Sequence, residues 1–231
     1  MINISHENNQ EGEDKLSRGI KKITKKVNTL VNELFRDSII RKNKRNLKNK
    51  NITLIASNCN GCLLLHELNL RYNSPFVNLF IPADDYIRLL QRFPDYMAKE
   101  LQFVDRGNLE YPLAMLGDVL IHCVHYKSEE EMLTKWNERK ARMDMSNCFV
   151  MFTDRDGCSR EHLEAFDALP FENKVVFTNK PYKDIQSAFY IKGFETEPCV
   201  GSLYHYRGWM GKKYYDDFDY IAWFNGDSLK G

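Results

Sequence analysis

From residue 51 onward, short apolar segments alternate with helical segments, and this alternation restricts the fold more than any other feature. The segments predicted as strands are Asn51–Ser57, Phe76–Ile81, Val119–Val124, Cys148–Thr153 and Lys174–Thr178. Those predicted as helices are Cys62–Arg71, Asp84–Gln91, a helix capped by Ser128, and Ser159–Ala168. Val119–Val124 and Cys148–Thr153 are apolar throughout, as in strands buried on both faces. The pattern predicts an α/β fold: a three-layer, Rossmann-like domain with a mainly parallel sheet.

A basic amphipathic helix is predicted before this domain. Residues 1–14 are polar and acidic, and we expect them to be flexible. Six apolar residues then recur at alternating steps of four and three, as on one face of a helix: Leu16, Ile20, Ile23, Val27, Leu30 and Leu34. This helix could pack on its own domain or on a protein partner. Alternatively, residues 15–50 could contact an anionic membrane surface, since the opposite face is rich in lysine, or could form a nucleic-acid-binding arm.

The charge is distributed unevenly along the chain. The total is 33 Lys+Arg against 32 Asp+Glu, a net charge of +1, which argues against a protein built to coat nucleic acid. Residues 1–50 hold 13 basic and 6 acidic residues, a net of +7, so residues 51–231 hold 20 and 26, a net of −6. We therefore divide the chain into a basic N-terminal arm, 1–50, and an α/β domain, 51–231, whose last 40 or so residues could form a small subdomain.

The cysteines and the N-terminus indicate the compartment. The chain is too long to need disulfides for stability, so we expect its six cysteines to be reduced. Neither a secretory signal nor an apolar stretch long enough to span a membrane is visible. We expect a cytoplasmic protein that could lie at the inner face of the membrane.

The turn after the first predicted strand is a candidate anion-binding site. Ser57, Asn58, Asn60 and Gly61 combine polar side chains with a glycine at a helix N-terminus, where free N–H groups attract anions. Cys59 at such a position could be a nucleophile with a lowered pKa. The alternatives are a plain connecting turn, or a metal or redox pair made by Cys59 and Cys62.

Two further segments carry candidate chemistry. Asp154 and Asp156 directly follow a predicted strand, where paired carboxylates could hold Mg²⁺ or Mn²⁺; the alternative is an ordinary turn. His125 follows another predicted strand and is a candidate general base, and Asp118, which opens that segment, is a candidate catalytic carboxylate. On the next helix, three basic residues beside Trp136 could clamp a phosphate or could simply be solvated: Lys135, Arg139 and Arg142.

Several of these strings resemble the bacterial family catalogued as domain of unknown function 1919, over roughly residues 40–225. The matching residues are Asn58, Cys59 and Gly61; Tyr72, Ser74, Pro75 and Asn78; and His125, Tyr126, Lys135, Trp136, Arg139 and Arg142. The chain departs from the pattern at Asn60 and Cys62. Members are often labelled exopolysaccharide or capsular polysaccharide biosynthesis proteins, so the resemblance implies an α/β fold and a role in that process. We include Tyr72, Ser74, Asn78, Tyr126 and the nearby His66 among the candidate binding residues.

Together these features predict a glycosyltransferase-like transferase of surface-polysaccharide biosynthesis that uses a nucleotide-sugar or a lipid-linked sugar. In this interpretation the Asn58 turn and the arginines bind phosphate, the two aspartates hold a metal, and His125 deprotonates an acceptor hydroxyl. A Cys59-dependent acyl or phosphoryl transferase, which needs no metal, is the alternative enzyme. A third interpretation is a non-catalytic scaffold of a polysaccharide-assembly complex, recruited through the N-terminal helix.

Overall fold

A parallel sheet forms the centre of the molecule. The computed structural model describes residues 5–227, with side chains described for residues 24 and 26–227. The sheet contains β1 (Thr53–Ala56), β5 (Cys148–Thr153), β6 (Asn173–Thr178) and β7 (Ala188–Tyr190), in that spatial order. Each neighbouring pair is parallel, which confirms the predicted α/β fold with a mainly parallel sheet.

Helices and a second sheet surround this centre. The α-helices of the described range are α1 (Ser5–Asn46), α2 (Asn60–Leu68), α3 (Ala83–Gln91), α4 (Phe93–Met97), α5 (Glu129–Lys140), α6 (Arg160–Asp167) and α7 (Tyr220–Asn225). The second sheet is antiparallel and consists of β2 (Leu101–Val104), β3 (Leu113–Leu116) and β4 (Val119–His122). Ser128 caps α5 as predicted, because its Oγ accepts the backbone N–H of Glu131 at 3.1 Å.

The parallel sheet separates two apolar cores. Ile55, Val150 and Val176 point to one face, where α3, α5, α6 and the antiparallel sheet pack. Their neighbours Leu54 and Met151 point to the other face, where α2, the end of α1 and the C-terminal segment pack. Since successive side chains of a strand alternate between faces, each core strand contributes to both sides. The sheet is therefore the middle of three layers.

The strand predicted at Phe76–Ile81 is wrong, because this segment is a loop. Within it, Phe80 makes a single antiparallel bridge to His122. Asn78 adopts a left-handed backbone conformation with φ of 61°, which turns the chain and prevents a continuous strand. This turn also places the Asn78 side chain beside α2, at the candidate site.

The prediction for Val119–Val124 is also wrong in part. The segment contains β4, but β4 belongs to the antiparallel sheet, and only Val119 and Ile121 of its four residues are fully buried. The reason is the two-residue turn Gly117–Asp118 between β3 and β4, in which Gly117 has a φ of 67°. A turn with a left-handed glycine is typical of a hairpin, and the apolar run hides this signal.

The N-terminal helix is longer than the sequence predicts. α1 begins at Ser5, so it includes residues 5–14, while residues 1–4 lie outside the described range. The flexibility expected for residues 1–14 remains a prediction. At a rise of 1.5 Å per residue, its 42 residues extend for about 60 Å. Among the described helices, none has the length and apolar character needed to cross a membrane.

Candidate functional site

Asn58 connects the carboxyl ends of two neighbouring strands. Its Oδ1 accepts the backbone N–H of Asn60 at 3.2 Å, which shapes the turn that starts α2. Its Nδ2 donates to Thr153 Oγ1 at 2.9 Å, at the end of β5, and lies 3.4 Å from Asp156 Oδ2. Ligands of open α/β sheets bind at this edge. The predicted turn is therefore at a position suited to ligand binding.

Gly61 and Ser57 have structural reasons to be in this turn. A Cβ added at Gly61 would lie 2.7 Å from the Cβ of Ala56, so the glycine lets α2 pack closely on β1. Ser57 is buried and continues the sheet, because its N–H donates to Met151 O and its C=O accepts the N–H of Ile81. Their predicted phosphate contacts remain predictions.

The thiols of Cys59 and Cys62 are close neighbours, and their pKa values move in opposite directions. Cys59 Sγ lies 3.7 Å from Leu79 O, and Cys62 Sγ lies 3.0 Å from Cys59 O and 3.4 Å from Asn78 Oδ1. The pKa of Cys59 is raised, first by the neighbouring Cys62 thiol and second by burial. The pKa of Cys62 is lowered, mainly by the neighbouring Cys59 thiol, with further contributions from Asn78 and the charge of Arg139. The lowered pKa predicted for Cys59 is therefore wrong, since the thiol favoured for ionisation is Cys62.

Arg139 is a buried cation with no carboxylate partner. It is 8% exposed, and its Nη1 donates to the hydroxyl of Tyr126 at 2.5 Å. The Tyr126 hydroxyl in turn donates to Val77 O at 2.8 Å, and the Tyr72 ring centre lies 5.4 Å from the guanidinium carbon. No carboxylate of the described side chains forms an ion pair with Arg139.

Two nitrogens of the Arg139 guanidinium have no described hydrogen bond. Its Nη1 has the only hydrogen bond described for this side chain. Among the described side chains, Ser187 Oγ is the one nitrogen or oxygen atom that is fully enclosed and lacks a partner. Nε and Nη2 of Arg139 are therefore not fully enclosed, and each has a hydrogen left to donate to a ligand.

The other predicted members of the basic stripe have separate roles. Arg142 lies beyond the end of α5 and donates through Nη2 and Nε to Tyr72 O, at 2.9 and 3.3 Å. Lys135 is half-exposed and pairs with Glu138 at 3.2 Å. Trp136 is 2% exposed and packs against Phe76 in the core. Arg139 is therefore the stripe residue that the structure leaves available for an anion.

The two aspartates point in different directions. Asp154 is largely buried, and its two carboxylate oxygens accept the backbone N–H groups of Asn179 and Val200, at 2.6 and 2.7 Å. Burial raises the pKa of Asp154 despite these bonds. Asp156 faces Asn58 instead. In the described range no three His, Cys, Asp or Glu side chains come close enough to hold a metal. Asp154 and Asp156 therefore do not fit a shared Mg²⁺ or Mn²⁺, and the metal remains an untested prediction.

Some of the remaining candidate residues lie at or beside the candidate site, and others lie away from it. His125 is exposed and lies next to the site, because its backbone N–H points to Asn78 O at 3.4 Å. Ser74 is buried in the preceding loop, where its Oγ accepts the N–H of Phe76. Asp118 lies in the β3–β4 turn and accepts from the Tyr96 hydroxyl at 2.7 Å. His66, on the last turn of α2, lines a separate cavity of about 410 Å³. The structure does not bring Asp118 or His66 to the candidate site.

Arg155 was missed by the sequence analysis. Its charge acts on Cys59 and opposes the rise in the pKa of that thiol. Its Nη1 points to Gly201 O at 3.5 Å, so it also contacts the C-terminal segment. Its position between two predicted metal ligands was the signal available, because a cation there is unusual for a metal site and suits an anion site.

Fold and site together define an α/β protein with a cationic, thiol-containing site at the carboxyl edge of a parallel sheet. Residues 30–225 match the family described as "Domain of unknown function (DUF1919)", and the chain belongs to this family. It is also similar to an uncharacterized protein of Haemophilus influenzae, with 46% identity over 200 residues, which cover 87% of this chain and 97% of the relative.

Proposed function

We propose that this chain is a transferase of surface-polysaccharide biosynthesis, exopolysaccharide or capsular, that binds the phosphate groups of a nucleotide-sugar or lipid-linked sugar at Arg139. The role in surface-polysaccharide biosynthesis is inferred from the resemblance of the sequence to its family. The observation that supports the phosphate site is the Arg139 guanidinium, which is buried, lacks a carboxylate and keeps two donor nitrogens open.

An unpaired buried charge is unfavourable, which gives Arg139 a reason to bind an anion. Removing a cation from water is costly unless an opposite charge or several hydrogen bonds compensate. The Tyr126 hydroxyl supplies one acceptor only. A phosphate that accepts from both Nε and Nη2 would compensate the charge and match the planar guanidinium. The nearby N-terminus of α2 would add free N–H groups.

His125 is the candidate base of the transfer step. It is exposed, and the Asn78 loop holds its backbone next to the site. An imidazole in this place can take the proton of an acceptor hydroxyl while Arg139 holds the donor phosphate. Asn58 keeps the nearby turn at the start of α2 in place.

The test is a binding screen with a charge-removing variant. Nucleotide-sugars, with and without Mn²⁺, are expected to raise the melting temperature of the wild type, because a ligand of the native state stabilises it. Arg139→Met keeps most of the packing volume and should weaken binding by roughly 10- to 100-fold, the value of a charge-assisted hydrogen bond or two. The affinity would be measured by calorimetry.

Lys135→Met is the matched control, since Lys135 lies on the same helix but is half-exposed and paired with Glu138. It should leave the affinity unchanged. Equal affinities of Arg139→Met and wild type, or no stabilisation by any nucleotide-sugar or sugar phosphate, would contradict the proposed site.

A second candidate is thiol-dependent acyl or phosphoryl transfer, and the lowered pKa of Cys62 favours that residue over Cys59. After incubation with an activated acyl or phosphoryl donor, the wild type should then carry a covalent adduct visible by intact mass spectrometry. Cys62→Ala should lose the adduct. Cys148→Ala should keep it, because burial raises the pKa of Cys148 to about 12. An adduct that survives in Cys62→Ala would exclude this candidate.

A further inference from the structure

A line of apolar side chains on α1 has no partner within the described part of the chain. Val27, Leu30 and Leu34 are 54%, 57% and 66% exposed. On the same helix, Asn32 and Arg36 are each 3% exposed, because they pack against the globular domain. Residues two positions apart on a helix point about 200° apart, so the apolar line faces away from the domain.

The spacing of this line is that of a coiled coil. Leu16, Ile23 and Leu30 are seven residues apart, and so are Ile20, Val27 and Leu34. We call these six residues the α1 seam. Two of the three residues in the second set are β-branched and two of the three in the first set are leucine, which is the a and d composition of parallel two-stranded coiled coils. Position d of the next heptad is Asp37, so the seam ends at Leu34.

We infer that α1 pairs with α1 of a second copy of this chain, along the α1 seam, as a parallel two-stranded coiled coil. Twelve apolar side chains, six from each copy, would bury on the order of 1,000 Å², near the lower limit for a specific interface. Pairing is therefore expected to depend on concentration. Because the domain packs on the opposite face of α1, two seams can meet without the two domains competing for space.

The placement of the lysines favours a second copy over a lipid surface. In the heptad frame, five of the six basic residues between Lys15 and Lys26 occupy the outer b, c and f positions. Lys26 alone occupies a flanking position, g. Lysines on the opposite face are compatible with anionic lipid, but they reach the headgroups most directly from positions beside the apolar line, because their side chains extend toward the interface. A coiled coil needs them on its outside, as found here.

The test measures the oligomeric state of the full chain. By size exclusion with light scattering at tens of micromolar, the wild type is expected at twice the chain mass of 27.2 kDa. The double variant Leu30→Glu/Leu34→Glu should dissociate about 100-fold more readily, because it places charges inside the seam. The control Lys22→Glu/Lys25→Glu changes outer positions and should remain dimeric. A monomeric wild type overturns the inference.

Two further measurements test the pairing without the Leu30→Glu/Leu34→Glu variant, in case that variant misfolds. Val27→Cys, oxidised with copper phenanthroline, should form a disulfide-linked dimer beyond the wild-type level, since Val27 meets its counterpart in a parallel pair. A dimer without this link overturns the parallel arrangement. If the wild type is monomeric and floats with phosphatidylglycerol-containing vesicles, and Lys22→Glu/Lys25→Glu abolishes flotation, the seam binds lipid and the pairing is wrong.

Discussion

Substitution of Glu67 by leucine is expected to lower the free energy of unfolding by about 3–5 kcal/mol, because it leaves two buried cations without their shared counter-charge. Glu67 Oε1 accepts from Arg36 Nε at 3.1 Å and from Lys213 Nζ at 2.7 Å. Its Oε2 accepts from Arg36 Nη2 and from the Tyr215 hydroxyl. The side chains of Arg36, Glu67 and Lys213 are at most 7% exposed. Arg36 also pairs with Asp216, the fourth charged residue of this buried cluster, whose side chain is 9% exposed.

Urea unfolding followed by circular dichroism measures this loss. Glu164→Leu is the matched control, because Glu164 pairs with Arg160 on the surface, where both side chains are about half exposed. An exposed pair contributes about 0–1 kcal/mol, so the control should barely change stability. If Glu67→Leu proved as stable as the control, the buried cluster would not contribute as the geometry indicates.

The same cluster makes the stability dependent on acid. Burial alone would raise the pKa of Glu67, but its hydrogen bonds to Arg36, Lys213 and Tyr215 outweigh burial and lower it. A carboxyl with a lowered folded-state pKa stabilises the fold fully above its unfolded pKa, about 4.3, and loses this contribution as the pH falls further. The wild type should therefore lose stability more steeply below that pH than Glu67→Gln.

Substitution of Gly211 by alanine is expected to destabilise the contact between α1 and the C-terminal segment by roughly 3 kcal/mol or more. The new Cβ would lie 2.4 Å from the backbone nitrogen of Arg36 and 2.7 Å from the carbonyl oxygen of Asn32. These are backbone atoms of a helix and cannot move aside as a flexible side chain can. Gly211 also has a φ of 71°, which disfavours alanine.

The control variant Gly208→Ala separates the cost of the steric clash from the cost of a left-handed backbone conformation. Gly208 has a similar φ of 78°, but no atom lies within 4 Å of the position its Cβ would take. It should cost about 1–2 kcal/mol, the penalty of a left-handed residue alone. Urea unfolding gives both values, and hydrogen exchange of residues 207–213 should rise in Gly211→Ala. Equal costs for the two variants would mean that the segment is not held against α1.

The fold could be predicted because its signals are local. Uninterrupted apolar runs identify β5 and β6, and Ser128 with Glu131 identifies the start of α5. The two wrong strand predictions arose where the backbone conformation of a single residue overrides the secondary structure that the surrounding hydrophobic pattern indicates. The left-handed Asn78 turns an apolar segment into a loop, and the Gly117 turn converts an apolar run into a hairpin. Neither conformation is visible in hydrophobic spacing.

The candidate site could be predicted in position but not in detail. Asn58, Cys59 and Asp156 converge because they follow neighbouring parallel strands, which sequence order and topology imply. Which arginine of the basic stripe is free depends on long-range contacts, such as the bond from Arg142 to Tyr72 O. The directions in which the two thiol pKa values move depend on how closely the thiols approach each other and on the charge of Arg139. These contacts join segments far apart in the sequence.

The buried cluster also has a consequence for the order of folding. Arg36 and Asp216 are 180 residues apart, and Glu67 and Lys213 are 146 apart. During synthesis, α1 and α2 leave the ribosome long before the segment that carries Lys213 and Asp216, so the buried cluster can be completed only when almost the whole chain has been made. Contacts of such separation form slowly because loop closure comes first. Docking of α1 on the domain is therefore expected to be a late folding step, which follows synthesis of the C-terminal segment.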